Sequence, residues 1–321
     1  MDKSPLLILT GPTGVGKTEL SIKLAKRLDG EIISADSMQV YRHMDIGTAK
    51  ITKEMMQGIP HHLIDVLEPT EDYNVSRFKE EALRAIQEIL SRDRIPIIVG
   101  GTGFYIQALL YDIDFTDNAQ TPYREELFRL AKEKGNGYLY DELKKCDPGA
   151  AGYIHANDIK RVTRALEFFH ETGKKISEHN EEERKRESPY DFRYFVLNRP
   201  RDLLYERINR RVDDMIRAGL VNEVKHLLEI GCDGSMVSMQ GLGYKEIIDY
   251  LEGNITLENA IDTIKRDTRH FAKRQLTWFR RERDVIMINK DEFDYDDEKI
   301  LEFIMKYFEP VLNMVTIQNS T

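Results

Sequence analysis

PLLILTGPTGVGKTELSIKLAKRL, Pro5 to Leu28, holds a strand, a turn and a helix in that order. Pro5–Thr10 is a short apolar run ahead of a glycine turn, the pattern of a buried strand. Thr18–Leu28 sets Leu20, Leu24 and Leu28 at helical spacing, with Ile22 and Ala25 beside them. Between the two, Gly11, Pro12, Thr13, Gly14, Val15, Gly16, Lys17 and Thr18 match G-x-x-x-x-G-K-[ST] without deviation. The glycines let backbone N–H groups turn inward around phosphate oxygens. The following helix adds the positive end of its dipole. Lys17 reaches terminal phosphate oxygens, and the Thr18 hydroxyl is placed to ligate Mg²⁺. The segment therefore reads as a P-loop, a cradle for a diphosphate or triphosphate group.

Outward from this unit the same grammar repeats. Glu31–Ala35 (EIISA) reads as a strand ending at Asp36. Ile95–Val99 (IPIIV) reads as another, ending in Gly100-Gly101-Thr102-Gly103, and Phe192–Leu197 (FRYFVL) as a fourth. Helices are expected over Ser76–Leu90 with Ser76 as N-cap, and from Phe104 to about Leu110. Others are expected over Asp202–Ile230, Lys245–Leu251 and Thr256–Arg283. Strand and helix in alternation predict an α/β fold, a P-loop NTPase-like parallel sheet flanked by helices. Its ligand crevice should lie at the carboxyl ends of the strands. From about Asp114 to Glu187 the chain turns polar, charged and helical in pattern. This predicts a catalytic core over 1–115 and 190–321, interrupted by a helical insertion domain over 116–189.

Composition bounds the rest. No run of apolar residues in the 321 is long enough to span a bilayer. The opening MDKSPLLILT runs straight into the glycine turn and reads as no signal peptide. Cys146 and Cys232 stand alone, which fits a reducing cytoplasm and gives no zinc set. The paired His61-His62 lack a matching third ligand and read as structural. The formal charge is −9, yet Lys265–Arg283 holds eight basic and two acidic residues. That segment can form a local phosphate-binding surface or a solvated helix face.

The P-loop alone does not name its guest. A hydrolase or kinase would want a second acid after an apolar strand, but IPIIV ends in glycine. Asp36, after EIIS, is the carboxylate that strand geometry aims at the phosphate end. Metal ligand, general base and cap of the following turn all remain open for it on this ground.

SADSMQVYRHMDIGTAK (Ser34–Lys50), taken with the P-loop, closely resembles the tRNA dimethylallyltransferases, also called tRNA isopentenylpyrophosphate transferases. Agreeing segments follow in order: PHHLIDV (Pro60–Val66), GGTGFY (Gly100–Tyr105), DPGAAGYIHANDIKRVTRALE (Asp147–Glu167), GLGYKE (Gly241–Glu246) and AKRQLTWFRR (Ala272–Arg281). The resemblance implies transfer of a dimethylallyl group from dimethylallyl diphosphate to N6 of the adenosine 3′ of the anticodon in tRNA. Diphosphate leaves, and the P-loop holds it. By the same resemblance Asp36 is the general base, Thr13 donates to the bridging oxygen, and Lys17, Mg²⁺ on Thr18 and Arg211 share the diphosphate charge. The alternative for Arg211 is a surface arginine on an amphipathic helix. Asp36, Ser37, Met38 and Gln39 are implied to contact the flipped base and its neighbours. Thr102, Arg124, Lys160, Arg161, Arg164, Gly243, Lys273, Arg274 and Gln275 are implied tRNA contacts. Trp278, on the same basic helix, is read either as a stacking residue or as a core tryptophan.

Lys160 departs from the family pattern, which usually has glutamine there. The acidic end lacks Cys-x-x-Cys or histidine pairs and looks like the shorter bacterial form. A monomer in the cytoplasm suffices for this reading. Its rivals are a small-molecule kinase using ATP, a relative that prenylates free adenine nucleotides, and a nucleotide-gated RNA-binding module without catalysis.

Overall fold

A computed structural model describes residues 3–113 and 121–318. Six strands form one sheet: β1 (Ser4–Thr10), β2 (Gly30–Ala35), β3 (His61–His62), β4 (Ile95–Gly100), β5 (Tyr190–Asn198) and β6 (Val285–Asn289). Their order is β3-β2-β4-β1-β5-β6 and every pairing is parallel. Leu6, Leu7, Ile8 and Leu9 of the central strand are wholly buried, as a strand covered on both faces by helices demands. The expected α/β class and parallel sheet are both present. In register, Thr10 faces Gly100 and Val196, and Ala35 faces Gly100. The loops after β1, β2, β4 and β5 therefore leave one edge of the sheet together.

Several local expectations need correction. The helix expected from Ser76 is Val75–Leu90, capped by the Asn74 side chain, which accepts from Arg77 N–H at 3.0 Å. The single helix expected over Asp202–Ile230 is two, Arg201–Ala218 and Leu220–Glu229. They break at Gly219, where φ of 104° is open to glycine and costly to other residues. The histidine pair forms a two-residue strand, and His62 bonds Glu31 at 2.7 Å, a structural role. Strand β6 and the final helix, Asp297–Gln318, were not expected from the sequence. That helix places Ile300, Ile304, Phe308 and Val311 into the same core cluster as Leu20 and Leu24.

The chain divides into two compact units, one of residues 1–110 with 189–321 and one of residues 111–188. The boundary expected at 115–116 lies outside the described residues. Within the second unit, the helices Pro122–Lys134, Asn136–Cys146, Ile159–Thr172 and Ile176–Lys185 enclose a small core. Leu127, Leu139, Leu143, Val162 and Ala165 fill it. Buried Asp147 ties its elements by accepting from Ala150 N–H, Ser177 N–H and the Ser177 hydroxyl. Among the described residues no helix is long and apolar enough to cross a membrane.

Candidate active site

The loop after β1 is shaped by close approach. At Gly11 a side chain would begin 2.5 Å from the Leu197 carbonyl oxygen, so β5 packs there only against hydrogen. Gly14 and Gly16 adopt φ of 79° and 95°, which turns the chain back toward the helix Lys17–Leu28. Thr10 fixes the loop's base by donating its hydroxyl to the Gly100 carbonyl at 2.8 Å. Val15 is buried beneath. Thr18 is exposed in the first turn of the helix.

Lys17 is folded back over its own loop. Its ammonium donates to the carbonyls of Gly11 and Pro12 at 2.9 and 3.0 Å. Burial lowers its pKa to about 8, repulsion from Arg211 adds to this, and Asp36 pulls the other way. Arg211 is half-buried on the helix Arg201–Ala218 and is itself held below the usual guanidinium range by burial. Attraction to Asp36 opposes that, and repulsion from Arg207 reinforces it. Lys17, Asp36 and Arg211 are thus in one electrostatic neighbourhood, and the surface reading of Arg211 does not hold.

Asp36 closes the turn after β2. Its Oδ1 accepts from Met38 N–H at 2.9 Å and from Gln39 N–H at 3.4 Å. Oδ2 has no donor among the described residues. One oxygen fixes the carboxylate and the other is left to act, which suits a base as well as a cap. On the next strand edge Thr102 N–H donates to the Ala35 carbonyl at 3.1 Å. Thr102, like Ser37, Met38 and Gln39, is half-buried. Gln39 spends its amide N–H on the Thr48 carbonyl, and Met38 packs where a Gly241 side chain would stand.

The model of the family described as IPP transferase matches residues 39–282. The chain belongs to the IPP transferase family. It is 62% identical over 301 residues to a protein of Lachnoclostridium phytofermentans named tRNA dimethylallyltransferase, covering 94% of this chain and 96% of that one. It also resembles the solved full-length tRNA isopentenylpyrophosphate transferase of Bacillus halodurans. There the TM-score is 0.73 and identity 47%, over 98% of this chain and 100% of that one. A solved eukaryotic dimethylallyltransferase, described as acting on tRNA, matches with TM-score 0.77 and 34% identity, over 89% of this chain and 74% of that one.

Seen within the IPP transferase family, some expected RNA contacts have other work in this chain. Gln275 is 7% exposed and both ends of its amide are taken. Its oxygen accepts from Thr13 N–H and its nitrogen donates to the Gly101 carbonyl, each at 2.9 Å. It fastens the P-loop to the β4 edge. Gly243 is buried with φ of 97°, and its N–H donates to Glu246 at 2.8 Å. It starts a helix and offers RNA no amide. Trp278 packs its indole where a Gly103 side chain would stand, 6.2 Å from the Phe104 ring centroid, so it is a packing residue. Lys273 and Arg274 are exposed and form no ion pair with the described residues.

In the second unit, Arg124 and Arg164 converge on Glu167, which is fully buried. Arg124 bonds both of its oxygens, Arg164 one at 3.2 Å, and the Thr121 hydroxyl another at 2.7 Å. Burial would raise the Glu167 pKa, but these donors, Arg124 first, hold it below the usual range. Arg161 and Arg164, both expected as RNA contacts, have different partners. Arg164 turns inward, while Arg161 is exposed and paired with Asp158 at 3.3 Å. Lys160 is exposed and unpaired among the described residues.

Sequence reasoning missed two residues of the site, Arg207 and Glu223, and the clamping role of a third, Gln275. Arg207 donates Nε–H to the Gly14 carbonyl at 3.0 Å, one helical turn before Arg211. The Glu223 carboxylate accepts from the successive N–H groups of Asp45, Ile46 and Gly47 and from the Tyr244 hydroxyl. It pins the loop that follows Gln39. A helix-periodic Arg207 two positions from an apolar residue was the one available signal.

Proposed function

We propose that this chain transfers the dimethylallyl group of dimethylallyl diphosphate to the exocyclic N6 of the adenosine 3′-adjacent to the anticodon in tRNA. The observation that carries the reading is the pairing of an anion cradle with one poised carboxylate. Gly11–Thr18, Lys17 and Arg211 gather cations and N–H groups, and Asp36 faces them with one free oxygen. The C–O bond to diphosphate breaks, the N6–C bond forms, and the N6 proton passes to Asp36.

Each role follows from placement. An amine conjugated to a purine is a poor nucleophile, and a fixed carboxylate raises its reactivity as the proton leaves. Negative charge grows on the bridging oxygen, and preorganised donors aimed there lower the barrier most. The Thr13 hydroxyl, free of partners among the described residues, has this role, while Gln275 holds the Thr13 amide still. Lys17 and Arg207 take the rest of the charge when they exchange loop carbonyls for phosphate oxygens, and Arg211 adds its charge beside them. Exposed Thr18 would offer its hydroxyl to a Mg²⁺ bound with the diphosphate. The ion would supply further charge neutralisation on the leaving group. Among the described residues no group of three or more His, Cys, Asp or Glu offers a protein-only metal site.

Lys273 and Arg274 on the helix Leu257–Phe279, with Lys160 and Arg161 on the helix Ile159–Thr172, are the cations offered to the anticodon stem-loop. Ser37, Met38 and Gln39 line the path of the flipped base beside Asp36. The enzyme works as a cytoplasmic monomer, where its free cysteines stay reduced. The test is incubation with labelled dimethylallyl diphosphate and Mg²⁺, offering unmodified tRNA, AMP or ATP. Label is expected in tRNA alone. Label in AMP, or ATP turnover without prenyl transfer, refutes the proposal.

A further inference from the structure

Beside the P-loop lies a second concave site, of whose lining the reaction above uses only Lys273. Strand β5 ends at Asn198, and the turn Arg199-Pro200-Arg201 leads into the next helix. This turn and one face of the helix Leu257–Phe279 enclose a cavity of about 330 Å³. Its charged lining is Arg199, Arg201, Lys273 and Arg280, with no carboxylate among the lining residues. None of these four forms an ion pair with the described residues. Elsewhere in the chain buried Lys290 is matched by Asp297, and the buried acids Glu31 and Glu167 are matched by Arg92 and Arg124.

Arg199 is the most telling of the four. Its Nε is buried and has no hydrogen-bond partner among the described residues. Its guanidinium lies 4.7 Å from the Tyr295 ring centroid. Arg201 is likewise over the Tyr205 ring, at 5.0 Å. Aromatic faces hold both arginines in place without neutralising them. A desolvated donor with nothing to donate to is the mark of a site awaiting an acceptor.

The cavity also shares a wall with the P-loop. Leu204 lines it and lies 3.8 Å from where a Gly14 side chain would begin. Cations link the two places: Lys17 is repelled by Arg211, Arg211 by Arg207, and Arg199 by Arg207, with Asp36 attracting the first two and Asp297 attracting Arg199. Such a track concentrates anions along its length.

We propose that this cavity is a second phosphate-binding site, separate from the P-loop, built from Arg199, Arg201, Lys273 and Arg280. Several converging guanidinium forks suit the multiple oxygens of a phosphate better than a lone carboxylate. The phosphate comes either from the RNA backbone or from free diphosphate, and only the RNA source rests on the proposed function.

The experiment compares the parent with an Arg201→Gln/Arg280→Gln double variant. Two quantities are measured directly, without turnover. One is the salt dependence of binding to an anticodon stem-loop RNA, and the other is the isotherm for inorganic diphosphate. An RNA source predicts that the slope of log affinity against log salt becomes shallower by about one, the contribution of one lost phosphate contact. A free-diphosphate source predicts an unchanged RNA slope and loss of a second, weaker binding event, its affinity falling roughly two- to fivefold per cation removed. An Arg210→Gln/Arg217→Gln variant removes two exposed, acid-paired cations from the same helix and should reproduce neither effect. If RNA slope and diphosphate isotherm both match the parent, or if the control variant shifts them equally, the site does not exist. Both readouts stand whether or not prenyl transfer is detected.

Discussion

Diphosphate binding should take up a proton at Lys17. In the empty loop its pKa is about 8, against 10.5 for a solvated lysine. That depression corresponds to about 3 kcal/mol disfavouring the charged form. Its causes are burial first and Arg211 second, and a bound diphosphate removes both: the ammonium gains anionic partners, and Arg211 is neutralised alongside it. With the bound pKa restored to its usual value or above, complex formation should take up about 0.1 proton at pH 7, half a proton at pH 8 and about 0.9 at pH 9. Above pH 8 the affinity should therefore fall about tenfold per pH unit. Calorimetric titration with dimethylallyl diphosphate in buffers of different ionisation enthalpy reads the uptake directly. Lys17→Arg keeps the charge and does not titrate, so the ligand's own protonation cancels in the comparison. Equal proton uptake by parent and Lys17→Arg at pH 9 would refute the reasoning.

The same shift has a consequence for the empty protein, and its sign is fixed. The folded pKa lies below the unfolded one, so between about pH 8 and 10.5 the unfolded chain holds a proton that the folded chain has shed. Lys17 thus adds stability as pH rises through that window. Below pH 8 both states are charged and its full cost is present. Lys17→Met should raise the melting temperature of the empty protein at pH 7 while abolishing tight diphosphate binding.

Asp36→Ala should slow prenyl transfer by roughly 10²–10⁴, the scale of a general base, with diphosphate affinity nearly unchanged. An equally large loss of diphosphate affinity would make Asp36 a metal ligand. Gln275→Glu keeps an acceptor for Thr13 N–H but opposes the Gly101 carbonyl and brings a negative charge to the loop, so diphosphate affinity should drop on the order of tenfold. An unchanged isotherm would show that the clamp does not shape the cradle. Lys273→Ala or Arg274→Ala should weaken tRNA binding and make its salt slope shallower by up to about one. A parental slope in both would return that helix face to solvent.

What could be read from the sequence was what the chain encodes locally. Strands β1, β2, β4 and β5, the P-loop and the position of Asp36 all follow from runs of a few residues and their flanks. Strand β3, two residues long, carries no period at all. The final helix was hidden by its setting: acidic residues from Asp291 to Glu298 led the end of the chain to be described only as acidic. Ile300, Ile304 and Phe308 meanwhile kept a helical spacing that buries them completely. The fine structure of the site is long-range. Gln275 meets Thr13 across 262 positions, Arg207 meets Gly14 across 193, and Glu223 meets Gly47 across 176. No spacing rule links such residues. Gln275 and Gly243 were expected as RNA contacts from the resemblance of their segments, and the structure spends the Gln275 amide and the Gly243 N–H on bonds within the chain.

The Gln275 position also bears on why this P-loop suits a leaving group. In a phosphate-hydrolysing site the strand beside the P-loop delivers an acid that organises metal and water. Here β4 delivers Gly100 and Gly101, and a side chain at Gly101 would collide with the Gln275 amide at 2.3 Å. The place is filled by a neutral group with both hydrogen-bonding ends satisfied. It stiffens the loop at Thr13 and adds no negative charge to compete with the diphosphate. The carboxylate that attracts both Lys17 and Arg211, Asp36, follows the neighbouring strand, and its turn engages one of its two oxygens. On the proposed reading, a loop rich in donors and cations, with glycine where β4 would deliver an acid, would hold diphosphate without attacking it. The remaining chemistry is proton removal from an acceptor, and that is the work one oriented carboxylate can do.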